Sequence, residues 1–183
     1  MEVFVRTWSG SHINYADFRP EDVKIEDIAH ALSMVCRFGG HIPRHYSVAE
    51  HSILVAHLVP DDLKLAALLH DATESYMGDM VAPLKRAMPD YISMEKDMTA
   101  IIAHRFDLGI AWKHIDIHIA DMKALYIEAR SFYGEDEIKS WGFEPEIVKW
   151  GESSSRDVLC YAPSPHDIEK QFMNAFLAYG GVK

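Results

Sequence analysis

Apolar residues recur every three or four positions along most of the chain, which is the pattern of amphipathic helices. A first stripe runs from Ile25 to Cys36, between Pro20, which opens a helical stretch, and Gly39-Gly40, which end it. Ser47 and Glu50 form a Ser-x-x-Glu capping box, so the next helix begins there. Further helices are predicted over residues 63–73, 90–106, 112–132 and about 165–179. The pattern therefore predicts a mostly α fold.

A different pattern occupies the N-terminus, where β-branched and aromatic residues from Val3 to Tyr15 flank the turn signal Ser9-Gly10. This arrangement predicts a short β-hairpin within residues 1–15. Residues 78–89 are predicted to form a loop or broken helix, and residues 133–163, with Gly, Pro and Ser throughout, an irregular segment. A length of 183 residues predicts one domain spanning 1–183, with a helical core at about 24–132 and a C-terminal helix at about 165–179.

Charge and composition narrow the possible functions. The net charge of −10 argues against a surface for a nucleic-acid polymer, because such surfaces neutralise phosphates with Lys and Arg, but one small basic pocket would suffice for a nucleotide. The two cysteines, Cys36 and Cys160, lack metal-type spacing and indicate free thiols in a reducing compartment. No apolar run is long enough to span a bilayer, and the N-terminus lacks a signal-peptide pattern. We therefore expect a cytoplasmic protein without a membrane partner.

The most informative sequence feature for function is the pair His70-Asp71, which directly follows the apolar run Ala66-Ala67-Leu68-Leu69. Unpaired charged groups in apolar surroundings cost several kcal/mol, and a divalent cation would remove that cost. His51 and Asp121 lie in similar apolar helical patterns, so the chain carries the order His, His-Asp, Asp. This mixed nitrogen and oxygen set predicts one tightly bound divalent transition metal, such as Co, Zn, Mn, Fe or Ni.

Glu74 follows His70 by four residues, which on a helix places the two side chains on one face. A carboxylate close to a metal without ligating it can serve as the general acid or base that activates water or protonates a leaving group. A surface glutamate at a fraying helix end is the alternative.

The ordered set of residues, with the segments around it, resembles the HD-domain metal-dependent phosphohydrolases. The local sequence is most similar to the small bacterial 5′-deoxynucleotidases and the related phage dATP triphosphohydrolases. A bare His-Asp pair occurs by chance, but the set with Glu74, Gly78-Asp79 and Pro83-Leu84-Lys85 is specific. The resemblance covers roughly residues 24–132 and implies an HD-domain helical fold. It carries over Arg37, Glu74, Asp79 and Lys85, with the metal ligands His51, His70, Asp71 and Asp121.

The resemblance also implies roles for the residues that are not metal ligands. Arg37 and Lys85 are expected to bind the substrate phosphates, since Arg offers a bidentate fork and Lys a point charge. Asp79 is expected to act in deoxyribose selection and catalysis, although after Gly78 it could equally cap a helix. Phe38 is a candidate for the base pocket, with ordinary core packing as the alternative.

The expected reaction is cleavage at the α-phosphorus of a deoxynucleotide. A dATP or other dNTP would yield the deoxynucleoside and triphosphate, and a dNMP would also be dephosphorylated. The alternatives are a 5′-deoxynucleotidase acting mainly on dNMP, a (p)ppGpp or cyclic-nucleotide hydrolase, a di-iron HD oxygenase and a catalytically silent binding module. The resemblance further implies a dimer, hexamer or other homo-oligomer in a bacterial cell or phage-infected host, and additional Mg²⁺ could accompany the substrate phosphates.

Other histidines bear on the number of metal ions. Some HD-domain proteins hold two metals through two added histidines between the His-Asp pair and the last Asp. His104 and His114 are the candidates here, and His118, three residues before Asp121, shares its helix face. Because His114 and His118 lie on the same helix as Asp121, they fit two separate ligand helices poorly, and we expect a single metal.

Overall fold

The computed structural model describes residues 4–182, and most of them are helical, which confirms the predicted mostly α fold with a short N-terminal hairpin. The helices are α1 Ile25–Met34, α2 Val48–Ala56, α3 Lys64–Leu68, α4 Glu74–Met77, α5 Ala82–Lys85, α6 Pro89–Arg105, α7 Ile115–Tyr133, α8 Glu135–Ile138, α9 Pro145–Glu152 and α10 Pro165–Ala178. The hairpin strands are β1 Val5–Arg6 and β2 His12–Ile13. Within residues 4–182, no helix is both long and apolar enough to cross a membrane.

The hairpin pairs β1 and β2 in antiparallel register, with Val5 opposite Ile13. Gly10 has φ +89°, which explains the glycine in the predicted Ser-Gly turn. The backbone N–H and the hydroxyl of Ser9 donate to the buried carboxylate of Asp27, at 2.6 and 2.8 Å, and so attach the turn to α1. Val3, in the predicted hairpin segment, lies outside the described residues.

The main core lies between α1, α2, α3, α7 and α10, which pack against one another around fully buried side chains such as Leu32, Val55 and Phe172. Helix α1 ends at Met34, earlier than the apolar stripe predicts. Beyond it, Cys36 forms an isolated antiparallel bridge with Ser47, so the helix ends before the glycines and Gly39-Gly40 lie in the loop between the two bridged residues. Residues 37–40 then form a turn in which Phe38 and Gly39 have left-handed backbone angles.

The predicted capping box of α2 is present. The Ser47 hydroxyl accepts from the Glu50 backbone N–H, and the Glu50 carboxylate accepts from the Ser47 backbone N–H at 2.8 Å. This start fixes the helical register, so that His51 lies in the first turns of α2 and is fully buried. A local sequence signal thus positions a predicted metal ligand.

The predicted continuous helix over residues 63–73 is wrong. Helix α3 ends at Leu68, and the next turn is tightened, with the N–H of Ala72 donating to the Leu69 carbonyl and that of Glu74 to the Asp71 carbonyl. The cause is visible at Ala67, whose carbonyl accepts from the His70 ring Nδ1 at 2.8 Å. In an α-helix that carbonyl would accept from residue 71, so the histidine side chain competes with the helix.

The segment predicted to be irregular, residues 133–163, contains α8, α9 and an intervening 3-10 turn. Gly142 ends that turn in the left-handed conformation, and Pro145 begins α9. Both residues therefore mark helix boundaries rather than loss of structure. A second apolar cluster, built by Tyr126, Ala129, Ile138 and Ile147, joins α8 and α9 to α7.

Helix α10 begins and ends as predicted. The Ser164 hydroxyl accepts from the Asp167 backbone N–H, and Gly180 and Gly181 follow the last turn. Its buried side chains, Ile168, Phe172 and Phe176, pack into the main core against α1 and α2.

Candidate metal centre

Three predicted ligands from distant parts of the chain meet at one point. His51 comes from α2, His70 from the turn after α3 and Asp121 from α7. One ligand atom from each of these residues lies within 4.8 Å of the others. Nε2 of His51 lies 3.1 Å from Oδ1 of Asp121. These three residues can therefore hold a metal ion.

Asp71, the fourth predicted ligand, lies against both rings. Its Oδ2 is 3.1 Å from Nε2 of His70 and 3.6 Å from Nε2 of His51. Both Nε2 atoms are buried, yet neither has a hydrogen bond within the described residues, although carboxylate oxygens lie close. A buried polar atom without a hydrogen bond costs about 1–3 kcal/mol. Convergent nitrogens and oxygens of this kind fit a divalent metal.

The electrostatics of the cluster also favour a cation. Burial and Arg37 would lower the pKa of His51, but Glu128 and Asp121 outweigh them and raise it to about 9. Burial would likewise lower the pKa of His70, and the adjacent Asp71 raises it instead. The same carboxylates that favour a proton on each imidazole favour a divalent cation between them.

The other ring nitrogen of each histidine is fixed by a hydrogen bond. His70 Nδ1 donates to the Ala67 carbonyl at 2.8 Å, and His51 Nδ1 donates to the Glu128 carboxylate at 2.6 Å. Each contact places the proton on Nδ1 and directs Nε2 toward the cluster. Such outer partners are typical of metal-binding histidines, whose orientation and basicity they set.

Glu128 is fully buried on α7 and was not predicted from the sequence. Besides His51, its carboxylate accepts from the Tyr46 hydroxyl at 3.0 Å and from Arg37 Nε at 3.2 Å. Burial would raise its pKa, but Arg37 and His51 hold it below the ordinary value. One sequence signal exists: Glu128 follows Asp121 by seven residues, two helical turns on the same face.

Arg37, the predicted phosphate ligand, lies beside the cluster. Its Nε and Nη2 both lie 3.2 Å from Glu128 Oε2, while Nη1 is 3.7 Å from Asp71 Oδ2. Burial would lower its pKa, but the carboxylates of Glu128 and Asp71 raise it above the ordinary value, so the guanidinium stays charged. One edge of the guanidinium is thus held by Glu128 and the Nη1 edge is directed toward the metal ligands.

Glu74 begins α4 and is buried. Burial raises its pKa well above the ordinary value, and the negative charges of Asp71 and Asp79 add to this effect. Its Oε2 has no hydrogen-bond partner among residues 4–182. This burial beside the cluster excludes the alternative of a solvated surface glutamate.

Asp79 and Lys85, the remaining predicted site residues, have different surroundings. Burial raises the pKa of Asp79, whose charge also interacts with those of Arg37 and Asp71. It is not a helix cap, because Val81 precedes α5 and no side-chain cap bond forms there. Lys85 forms an ion pair with Glu95, with Nζ 2.7 Å from Oε1. The ammonium carries three N–H donors, so its phosphate contact stays a prediction beside this ion pair.

The Phe38 side chain packs against other aromatic side chains. Its ring meets those of Phe132, Tyr133 and Trp141 at centroid separations of 5.8, 5.8 and 6.5 Å. Its φ of +56° is unusual for a bulky residue, so the packing holds a strained backbone next to Arg37. Phe38 is half-buried in this aromatic group, and its place in a base pocket stays a prediction.

The additional histidines do not enlarge the cluster. His104 and His118 are exposed, and the His114 ring accepts from the Asp116 backbone N–H to cap α7. Within residues 4–182, none of the three belongs to a group of side chains spaced for a metal.

Comparison with known proteins places the chain in a family without assigning an activity. No family model matches the sequence. The chain is 41% identical over 138 residues to the uncharacterized protein YfdR of Escherichia coli (strain K12), an alignment that covers 75% of this chain and 76% of YfdR. It is also 42% identical over 113 residues to an uncharacterized protein of Rhodobacter capsulatus, covering 56% of this chain and 58% of that relative. The chain belongs to the YfdR family.

Proposed function

We propose that the protein is an HD-domain metal-dependent phosphohydrolase that cleaves deoxynucleotides at the α-phosphorus. The observation that carries the proposal is the convergence of two buried imidazole nitrogens on carboxylates from α7 and from the turn after α3. Neither nitrogen has a hydrogen-bond partner among residues 4–182. Burying such atoms costs free energy unless a further partner binds them. Four ligands, His51, His70, Asp71 and Asp121, hold one divalent transition metal in this proposal.

When bound, the metal supplies a Lewis acid for a phosphoryl oxygen and lowers the pKa of a water molecule. The protein's own groups then have distinct tasks. Arg37 binds the phosphate through the guanidinium edge that Glu128 leaves free. Glu74 holds a proton in its buried carboxyl and delivers it to the departing 5′ oxygen. Asp79, whose charge interacts with that of Arg37, orients the deoxyribose.

The reaction balances with water as the only co-substrate. An oxygen of water forms the new bond to the α-phosphorus, the bond from that phosphorus to the 5′ oxygen breaks, and the 5′ oxygen takes the proton from Glu74. The carboxylate left on Glu74 then takes up the proton that the water loses. A dNTP then yields a deoxynucleoside and triphosphate, and a dNMP yields a deoxynucleoside and phosphate. We favour dATP as substrate, with dNMP as the second candidate because the same site performs both reactions.

A substrate panel tests the proposal. Metal-depleted protein is supplied separately with Co²⁺, Mn²⁺, Zn²⁺ or Mg²⁺ and assayed on all dNTPs, dNMPs, (p)ppGpp and cyclic nucleotides, with phosphate and triphosphate separated by ion chromatography. We expect metal-dependent release of triphosphate or phosphate from deoxynucleotides. Asp71→Ala, purified in parallel, controls for contaminating phosphatases. Preference for (p)ppGpp or a cyclic nucleotide over every deoxynucleotide would overturn the substrate class, and metal-dependent oxygen consumption would favour the di-iron oxygenase.

A further inference from the structure

Glu128 contacts both His51, a proposed metal ligand, and Arg37, the proposed phosphate ligand. One carboxylate oxygen, Oε1, accepts from His51 Nδ1 at 2.6 Å and from the Tyr46 hydroxyl at 3.0 Å. The other, Oε2, faces both Nε and Nη2 of Arg37 at 3.2 Å. Glu128 has no exposed surface, so these protein groups take the place of water around its charge.

We propose that Glu128 is a positioning residue that sets both the metal-binding orientation of His51 and the anion-binding orientation of Arg37. The proposal rests on the proposed metal centre but not on its substrate. Its contact with Nδ1 fixes the His51 tautomer, so that Nε2 presents its lone pair to the cluster. Its contact with Nε and Nη2 fixes the plane of the guanidinium, so that Nη1 faces the metal ligands.

The contacts of Glu128 indicate a role beyond neutralising the charge of Arg37. Glu128 is not the only acidic neighbour of the buried Arg37, because Asp71 Oδ2 lies 3.7 Å from Nη1. A carboxylate whose only purpose was to neutralise Arg37 would not need to approach the far side of the His51 ring. Because one rigid carboxylate serves both partners, a displacement of either is transmitted to the other.

The test measures metal affinity, not turnover. Metal-depleted Glu128→Gln is titrated with Co²⁺ by isothermal titration calorimetry, and its affinity is compared with that of the wild type. Loss of an outer partner of a metal-binding histidine typically weakens metal binding by about 10- to 100-fold, and we expect a loss in that range. Tyr46→Phe removes a hydrogen bond from the same carboxylate but keeps its charge, and we expect its affinity to stay within about threefold of wild type.

Two controls separate positioning from general effects of the substitution. Asp27→Asn removes another buried carboxylate, at the hairpin contact, and should leave Co²⁺ affinity unchanged. The double variant Arg37→Gln/Glu128→Gln restores the net charge of the site. If Glu128 only balances Arg37, the double variant regains wild-type affinity, and the positioning role is wrong. If Glu128 orients His51, the double variant keeps the reduced Co²⁺ affinity of Glu128→Gln.

Anion binding provides the second readout. Inorganic triphosphate is titrated into Co²⁺-loaded wild type and into Glu128→Gln saturated with Co²⁺, and we expect weaker binding in the variant although metal is present. Unchanged Co²⁺ and triphosphate affinities in Glu128→Gln would overturn the inference and leave the metal centre intact. Absence of Co²⁺ binding in the wild type would instead refute the proposed function. If Glu128→Gln does not fold, Glu128→Asp, which keeps the charge on a shorter side chain, is expected to show the same loss of Co²⁺ affinity.

Discussion

The ring Nδ1 of His70 donates a hydrogen bond to the carbonyl oxygen of Ala67, 2.8 Å away, and this contact has two effects. It occupies the carbonyl that would extend α3, so the helix ends at Leu68. It also directs Nε2 of the same ring toward Asp71. The interruption of the helix and the orientation of a proposed metal ligand therefore have one cause.

Asp71→Ala should abolish both metal retention and nucleotide hydrolysis. Asp71 Oδ2 is the carboxylate oxygen that lies close to both imidazoles, so its removal deletes a charged ligand from between them. The measurement is metal content by mass spectrometry after dialysis, together with turnover. Full metal occupancy with wild-type turnover in this variant would show that Asp71 is not a ligand.

Glu74→Gln should keep the metal and the fold but lose most of the rate. The amide cannot deliver a proton, and general acid groups typically contribute about 10²–10⁴-fold. Single-turnover kinetics of the metal-loaded variant give the loss directly. Glu26→Gln, an exposed substitution on α1, is the matched control and should be neutral. A Glu74→Gln rate within about threefold of wild type would assign Glu74 a structural role.

Arg37→Ala should reduce both stability and anion binding. It leaves the buried Glu128 without its cation, and breaking one half of a buried ion pair typically costs about 3–5 kcal/mol of unfolding free energy. Loss of a charge-assisted contact should also weaken triphosphate binding by about ten- to hundredfold. Arg37→Lys should recover only part of the lost stability and only part of the lost triphosphate affinity, because an ammonium cannot reproduce the planar fork. Urea denaturation and calorimetry measure the two effects, and full recovery by lysine would contradict the orienting contact with Glu128.

Ser47→Ala should destabilise the protein by about 1 kcal/mol and also weaken metal binding. The Ser47 hydroxyl caps the helix that carries His51, so fraying there displaces a ligand. Ser164→Ala removes an equivalent cap from α10, which carries no proposed ligand, and should cost similar stability with no change in metal affinity. Equal metal affinity in both variants would show that the α2 cap does not position His51.

The parts of the structure set by local interactions could be predicted from the sequence. The Ser47 and Glu50 capping box places His51, and the apolar pattern of α7 places Asp121 in a helix. The interruption after Leu68 could not be predicted, because it depends on which carbonyl the His70 ring selects. Helices α8 and α9 were missed because their Gly and Pro residues also occur in loops.

The layer of residues behind the metal ligands was missed for a different reason. Glu128 is separated from Tyr46 by 82 residues and from His51 by 77. Contacts at such separations depend on how α2 and α7 pack, and a buried glutamate on a helix has the same spacing signal as a solvated one. The proposed ligands could be singled out from the sequence because their residue types are distinctive, whereas the groups that orient them are defined by the fold.

The central claim, one metal held by His51, His70, Asp71 and Asp121, is tested most directly by titrating metal-depleted wild-type protein with Co²⁺ and counting the ions bound per chain. We expect about one tightly bound ion, with visible absorption bands from nitrogen and oxygen ligands that disappear in His51→Ala and Asp121→Ala. Absence of tight binding, or a tightly bound ion whose affinity and spectrum are unchanged in both variants, would contradict this assignment.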